Sequence, residues 1–127
     1  MTLEQRAQQF WSVLVFAAKE QRVVSHSMLS QITGCPETSG DVLHYIYCYC
    51  KQQQLPPLTA IVIDLATGRP DDDWPGNRRD LAAQQSRVFI YDWLTYPAPS
   101  DEMFLEALAK EEEELERANA EYVGLPC

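Results

Sequence analysis

The chain predicts an α+β fold that is mostly helical, and three observations carry that expectation. Apolar residues recur at helical spacing in five separate stretches, Pro- or Gly-bearing segments divide most of them, and only one short stretch, Thr59-Ala60-Ile61-Val62-Ile63, is a β-branched run of strand type. Apolar residues make up 46% of the 127 positions, enough for one core, so a single domain with a C-terminal appendage is expected.

Residues 4–19 predict the first helix: Phe10, Val13, Leu14 and Ala17 repeat at helical spacing, and Trp11, Val15 and Ala18 widen the face so that the helix is covered on two sides. Ser25 is an N-cap for a short second helix holding Met28, Leu29 and Ile32, which Gly34 stops. Pro36 and Thr38-Ser39 open a third helix, with Val42, Leu43, Ile46, Tyr47 and Cys50 on one stripe, Tyr45 and Tyr49 on the next, and Pro56-Pro57 as its stop. The strand at 58–63 turns through Asp64 to Gly68 into a weaker return arm at Arg69-Pro70, followed by the polar loop Asp71-Asp72-Asp73. Asn77 caps a fourth helix reaching about Trp93, with Leu81, Val88 and Phe89 inward. Tyr96-Pro97-Ala98-Pro99 is a stiff linker, and Ser100 caps a last helix with Asp101 and Glu102 in its first turn, where the helix dipole favours them. No internal repeat is present.

Charge is placed unevenly. The net formal charge is −9, yet residues 101–121 hold nine carboxylates against Lys110 and Arg117, so most of the acidity belongs to the tail. As a helix those residues span about 31 Å, one carboxylate per roughly 3.5 Å, close to the ~3.4 Å axial charge spacing of a DNA strand. That is the arithmetic of a DNA mimic; a solvated helix face is the plainer account. Phe104, Leu108, Leu115, Ala118 and Tyr122 form an apolar strip interrupted by Glu111, which fits docking on the chain's own core or on a second copy, a homodimer through the C-terminal helix.

Four cysteines (Cys35, Cys48, Cys50, Cys127), the absence of a leader-like start and of any long apolar run predict a cytoplasmic protein with reduced thiols and no membrane partner. Cys48 and Cys50 point about 200° apart on a helix and cannot chelate together. His44 and Cys48, at i and i+4, are half of a zinc site without a second half, and Asp71 to Asp73 lack complementary ligands, so no metal and no cofactor is expected. Neither a nucleophile–base pair nor a phosphate loop is present, and the expectation is a non-enzymatic protein.

The order helix, short helix, longer helix, strand, turn, strand describes a winged helix. Expected organisation is a winged-helix-like core over 1–76 (three helices plus a β-hairpin), a fourth helix packed on it over 77–96, and a Pro-containing linker with the acidic helix over 97–127. Phe10-Trp11-Ser12-Val13-Leu14, then Val24 to Ser30, then Gly40 to Tyr49, then Gln54-Leu55-Pro56-Pro57-Leu58 follow one another as in a known pattern. On those residues the stretch from about 10 to 74 resembles the DNA-binding domain of the O6-alkylguanine-DNA alkyltransferase and alkyltransferase-like family. That resemblance implies the fold and, as one reading, DNA-damage recognition. Where the family carries its Pro-Cys-His-Arg signature this chain has Thr59-Ala60-Ile61-Val62-Ile63-Asp64, so alkyl transfer is not implied, and fold alone does not carry activity.

DNA affinity comes mainly from Lys and Arg, yet residues 35–55 offer Lys51 as their only such cation. The leading expectation is therefore an adaptor or inhibitor of bacterial or phage type that binds a protein, such as one with a basic nucleic-acid channel, through Tyr45, Tyr49, Glu111, Glu112, Glu113 and Glu114. The alternative is a divergent winged-helix regulator contacting DNA through Arg69, Arg78 and Arg79.

Overall fold

Thr2 and Gln5 cap the first helix reciprocally: the Gln5 N–H donates to Thr2 Oγ1 at 3.2 Å and the Thr2 N–H donates to Gln5 Oε1 at 3.0 Å. From that start the computed structural model runs α1 (Leu3–Lys19), β1 (Val24–Ser25), α2 (His26–Thr33), α3 (Ser39–Gln52), β2 (Val62–Ile63), α4 (Leu81–Ile90) and α5 (Asp101–Gly124), with short 3-10 turns at Leu58–Ile61, Arg78–Asp80 and Trp93–Thr95. The structure describes residues 1–34, 39–72 and 74–124. The protein is mostly helical with one small two-stranded sheet.

Local chemistry explains most of the boundaries. The Met28 N–H donates to Ser25 Oγ at 3.0 Å, and Gly34 ends α2 in the left-handed region at φ 69. The Met103 N–H donates to Ser100 Oγ at 3.3 Å, so Ser100 caps α5 as its position predicts. Both α1 and α3 end in paired 6→1 and 5→2 backbone hydrogen bonds, Arg22 to Ala17 with Gln21 to Ala18, and Leu55 to Cys50 with Gln54 to Lys51. Each places a glutamine at φ 57 where glycine is usual, so α3 stops at its own cap before Pro56-Pro57 is reached. Pro36 and Thr38, expected to open α3, lie outside the described residues.

The strand region differs from expectation. Leu58–Ile61 winds as a 3-10 turn, with the Ala60 N–H donating to Pro57 O, and only Val62–Ile63 is extended. Its partner is β1, in parallel, with Val24 opposite Val62 and Ser25 opposite Ile63. The expected hairpin shrinks to one antiparallel bridge between Asp64 and Arg69. All of Leu58 to Ile63 is buried, so no in–out alternation existed to hold a long ladder. The fourth helix is also shorter than the 77–93 expected. Asn77 caps the 3-10 turn before it, and another 3-10 turn begins at Trp93.

Trp11 is the centre of the core. Its ring meets Tyr49 (5.6 Å between centroids) and Trp93 (5.5 Å) edge-on, and Tyr96 and Phe104 at a tilt. Such contacts contribute about 0.5–1.5 kcal/mol each beyond area burial. They fasten α3, the 93–96 segment and the start of α5 onto α1. α5 thus docks on its own chain, against α1 and α3.

Candidate interaction surface

Successive helical residues turn by about 100°, so Gly40, His44, Tyr47 and Lys51, at 4-3-4 spacing, share one side of α3. That stripe faces outward, with Asp41 beside it, while Val42, Leu43, Tyr45, Ile46, Cys48, Tyr49 and Cys50 are buried. The sequence reading chose Tyr45 and Tyr49 as contact residues; the structure corrects this, because both rings are buried. Tyr49 packs edge-on against Phe104 at 5.4 Å and its hydroxyl shares a 2.8 Å hydrogen bond with that of Tyr96. Tyr45 is raised above the ordinary tyrosine range by burial, then by the carboxylates of Glu4 and Glu112. Tyr47, assigned to the inward stripe, is the half-buried tyrosine that reaches the surface. The helix is enclosed on three sides by α1, α5 and the 58–61 turn, which makes its buried sector wider than an apolar stripe suggests.

Beside the stripe lies a cleft of about 60 Å3. His44 and Tyr47 form one wall, His26 at the head of α2 another, and Asp71 and Trp74 a third. His26 Nε2 stands 3.3 Å from Asp71 Oδ2, and His44 Nε2 is hydrogen-bonded to Cys48 Sγ at 3.5 Å. Trp74 is held by donating its indole N–H to Thr59 Oγ1 at 3.2 Å. A Cβ on Gly76 would lie 2.2 Å from the Trp74 ring, so the small residue there is a packing requirement. The thiols are poor nucleophiles: burial pushes Cys48 up to about 11 and Cys50 up to about 12. Among the described residues no group of acids, histidines and cysteines could hold a metal ion. Asp73, the third of the loop acids, lies outside the described residues, as do Cys35 and Cys127.

The acidic run on α5 divides. Glu111 is buried and accepts from Lys51 Nζ at 2.7 Å and Gln52 Nε2 at 3.0 Å, which corrects its assignment to a contact surface. Glu112, Glu113 and Glu114 are exposed, and Glu113 accepts from Arg117 one turn on at 3.3 Å. Lys51 is raised above the usual lysine range, chiefly by its hydrogen bond to Glu111, with Glu114 adding to it. The cation on the outward stripe of α3 is therefore already paired with an acid of α5.

The three arginines of the alternative reading separate too. Arg78 turns inward, donating to the carbonyl oxygens of Pro70 and Asp71 and lying 5.8 Å over the Trp74 ring. Arg69 and Arg79 are exposed. Sequence reasoning missed the His44–Tyr47 stripe and the role of Trp74. The 3-4 spacing of the polar-tipped His44, Tyr47 and Lys51 on α3 was the signal available for the first; Trp74 sat in a loop with no periodicity to reveal it. No helix among the described residues is long and apolar enough to cross a membrane. Neither a family model, nor a curated protein, nor a solved structure matches this chain.

Proposed function

We propose that the chain is a non-enzymatic adaptor or inhibitor whose winged-helix-like body engages a partner protein bearing a lysine- and arginine-rich surface of the kind that binds nucleic acid. The contact surface is the outward stripe of α3, led by His44 and Tyr47, together with Glu112, Glu113 and Glu114. One observation carries this reading: the helix that would read DNA has its lysine paired with Glu111 and further carboxylates of α5 alongside. A duplex brought to that face would meet anionic side chains, and phosphate binding needs several unpaired cations. A basic protein surface meets complementary charge and an amphipathic tyrosine instead.

The test is a pair of titrations at low salt. Labelled duplex DNA is expected to bind weakly or not at all, and sub-micromolar affinity with a steep salt slope would overturn the proposal in favour of DNA contact through Arg69 and Arg79. With the partner that co-purifies with the native protein, Tyr47→Ala and the triple Glu112→Gln, Glu113→Gln, Glu114→Gln variant are expected to weaken capture while leaving folding intact. Undiminished capture by both variants would show that the surface is wrongly assigned.

A further inference from the structure

A second surface lies on the far side of α1 from α5. Phe16, Val23, Met28 and Ile32 are 64%, 44%, 50% and 59% exposed, and with Val13 and Ala17 they line an apolar groove of about 410 Å3 between the end of α1 and α2. Glu20 and Arg22, the two charged side chains among the described residues that line it, stand on its rim and pair with each other at 3.5 Å. The groove therefore presents no unmatched charge, and a charged partner would find no counterpart there. What remains is an aromatic ring, a thioether and branched aliphatic chains, the composition of an interface core.

We infer that this groove is a homodimer interface, in which two copies of the chain meet groove to groove about a two-fold axis. Area is the first reason. At about 200 Å2 for a large side chain, the exposed parts of Phe16, Val23, Met28 and Ile32 come to roughly 400 Å2. A two-fold contact covers that patch on both copies, and covering Glu20 and Arg22 with it takes the total past the ~1,000 Å2 that a specific interface needs. Self-complementarity is the second. An isologous contact must fit a copy of itself, and an apolar patch whose ion pair is internally neutralised does so without setting like charges against each other.

Position is the third reason. Val13, Phe16 and Glu20 lie about 140–180° around α1 from Trp11, the residue on which Phe104 of α5 docks. Residues 101–121 hold nine carboxylates, so copies of this chain repel most strongly where those helices approach. Joining groove to groove keeps the docked ends of the two α5 helices on opposite outer sides, with both α1 helices, each about 10 Å across, between them. That distance exceeds the ~8–10 Å beyond which salt screens such repulsion. None of the groove residues belongs to the stripe on α3 or to α5, so the dimer and the partner surface proposed above stand or fall separately.

Sedimentation equilibrium on the full chain tests it. The wild type is expected to form a reversible, concentration-dependent dimer. Phe16→Asp on α1 and Ile32→Asp on α2 are each expected to weaken it about tenfold or more, because two-fold symmetry sets the new charge into the apolar contact twice. Leu115→Asp, on the exposed half of α5, is expected to leave the dimer unchanged. All three positions are exposed, and unchanged circular dichroism verifies that each variant folds. A chain that stays monomeric at every concentration would overturn the inference and leave the groove to a different apolar molecule. A dimer that neither groove variant loosens would overturn it as well, and one that Leu115→Asp alone loosens would move the contact to the acidic helix.

Discussion

The two halves of α5 share one helix and one acidic composition, yet they do different physical work. The first half is set into the body: Phe104 is fully buried between Trp11 and Tyr49, and Glu111 is buried against Lys51 and Gln52. The second half, from Glu112 to Asn119, touches solvent throughout. Neighbouring glutamates therefore belong to different categories of interaction. Glu111 is part of the architecture, and Glu112 to Glu114 are surface chemistry. A charge run read as one property hides that division.

Substitutions that break the contrast should do so unequally. Phe104→Ala is expected to cost about 3–5 kcal/mol by opening a cavity beside Trp11, while Leu115→Ala in the distal half stays within about 0.5 kcal/mol. Urea denaturation measures both, and comparable losses would erase the distinction. Glu111→Ala is expected to cost about 1–2 kcal/mol, because it strands the Gln52 amide and the Lys51 ammonium; the lysine is half-exposed and recovers part of its hydration. Glu112→Ala should be nearly silent in the same assay.

Alkaline pH sharpens the comparison from the side of α3. Burial raises the thiols of Cys48 and Cys50, and burial with the Tyr96 hydrogen bond raises Tyr49. For each, the unfolded chain loses its proton first, so stability is complete below the unfolded pKa, about 8.5 for a thiol and about 10 for a tyrosine. It then falls as pH rises toward the folded values, near 11 for Cys48 and near 12 for Cys50. Lys51, raised chiefly by Glu111, adds stability that is likewise present below its unfolded pKa and lost above. Denaturation midpoints measured from pH 8 upward, with Cys50→Ala as comparison, should show a decline that the variant flattens. The smallest gain comes from Gln54→Gly, which relieves a left-handed residue at the end of α3 and is expected to stabilise by about 0.5–1 kcal/mol, read as a shift in thermal midpoint.

Much of this was legible in residue order. The Ser25 and Ser100 caps, the Gly34 stop and the extent of α1 follow from local hydrogen-bond chemistry, which the sequence carries directly. The hairpin was not legible, because a fully buried β-branched run looks alike whether it is extended or turned, and here Pro57 starts a 3-10 turn. The proposed contact surface was half legible. Glu111 interrupts an apolar strip, and a lone charge on such a strip belongs to the docked side of its helix, a clue that could have separated it from its neighbours. The tyrosines of α3 needed the surrounding elements, since three packing partners and not the helix's own periodicity decide which of them is covered.

The ring assembly around Trp11 also dictates when the molecule can form. One indole from the first tenth of the chain waits for rings that arrive at positions 49, 93, 96 and 104. Most of these closures span long sequence distances, which slows their formation. A nascent polypeptide would leave this interior open on the ribosome until Phe104 emerged, so translation itself sets the moment at which the body can close.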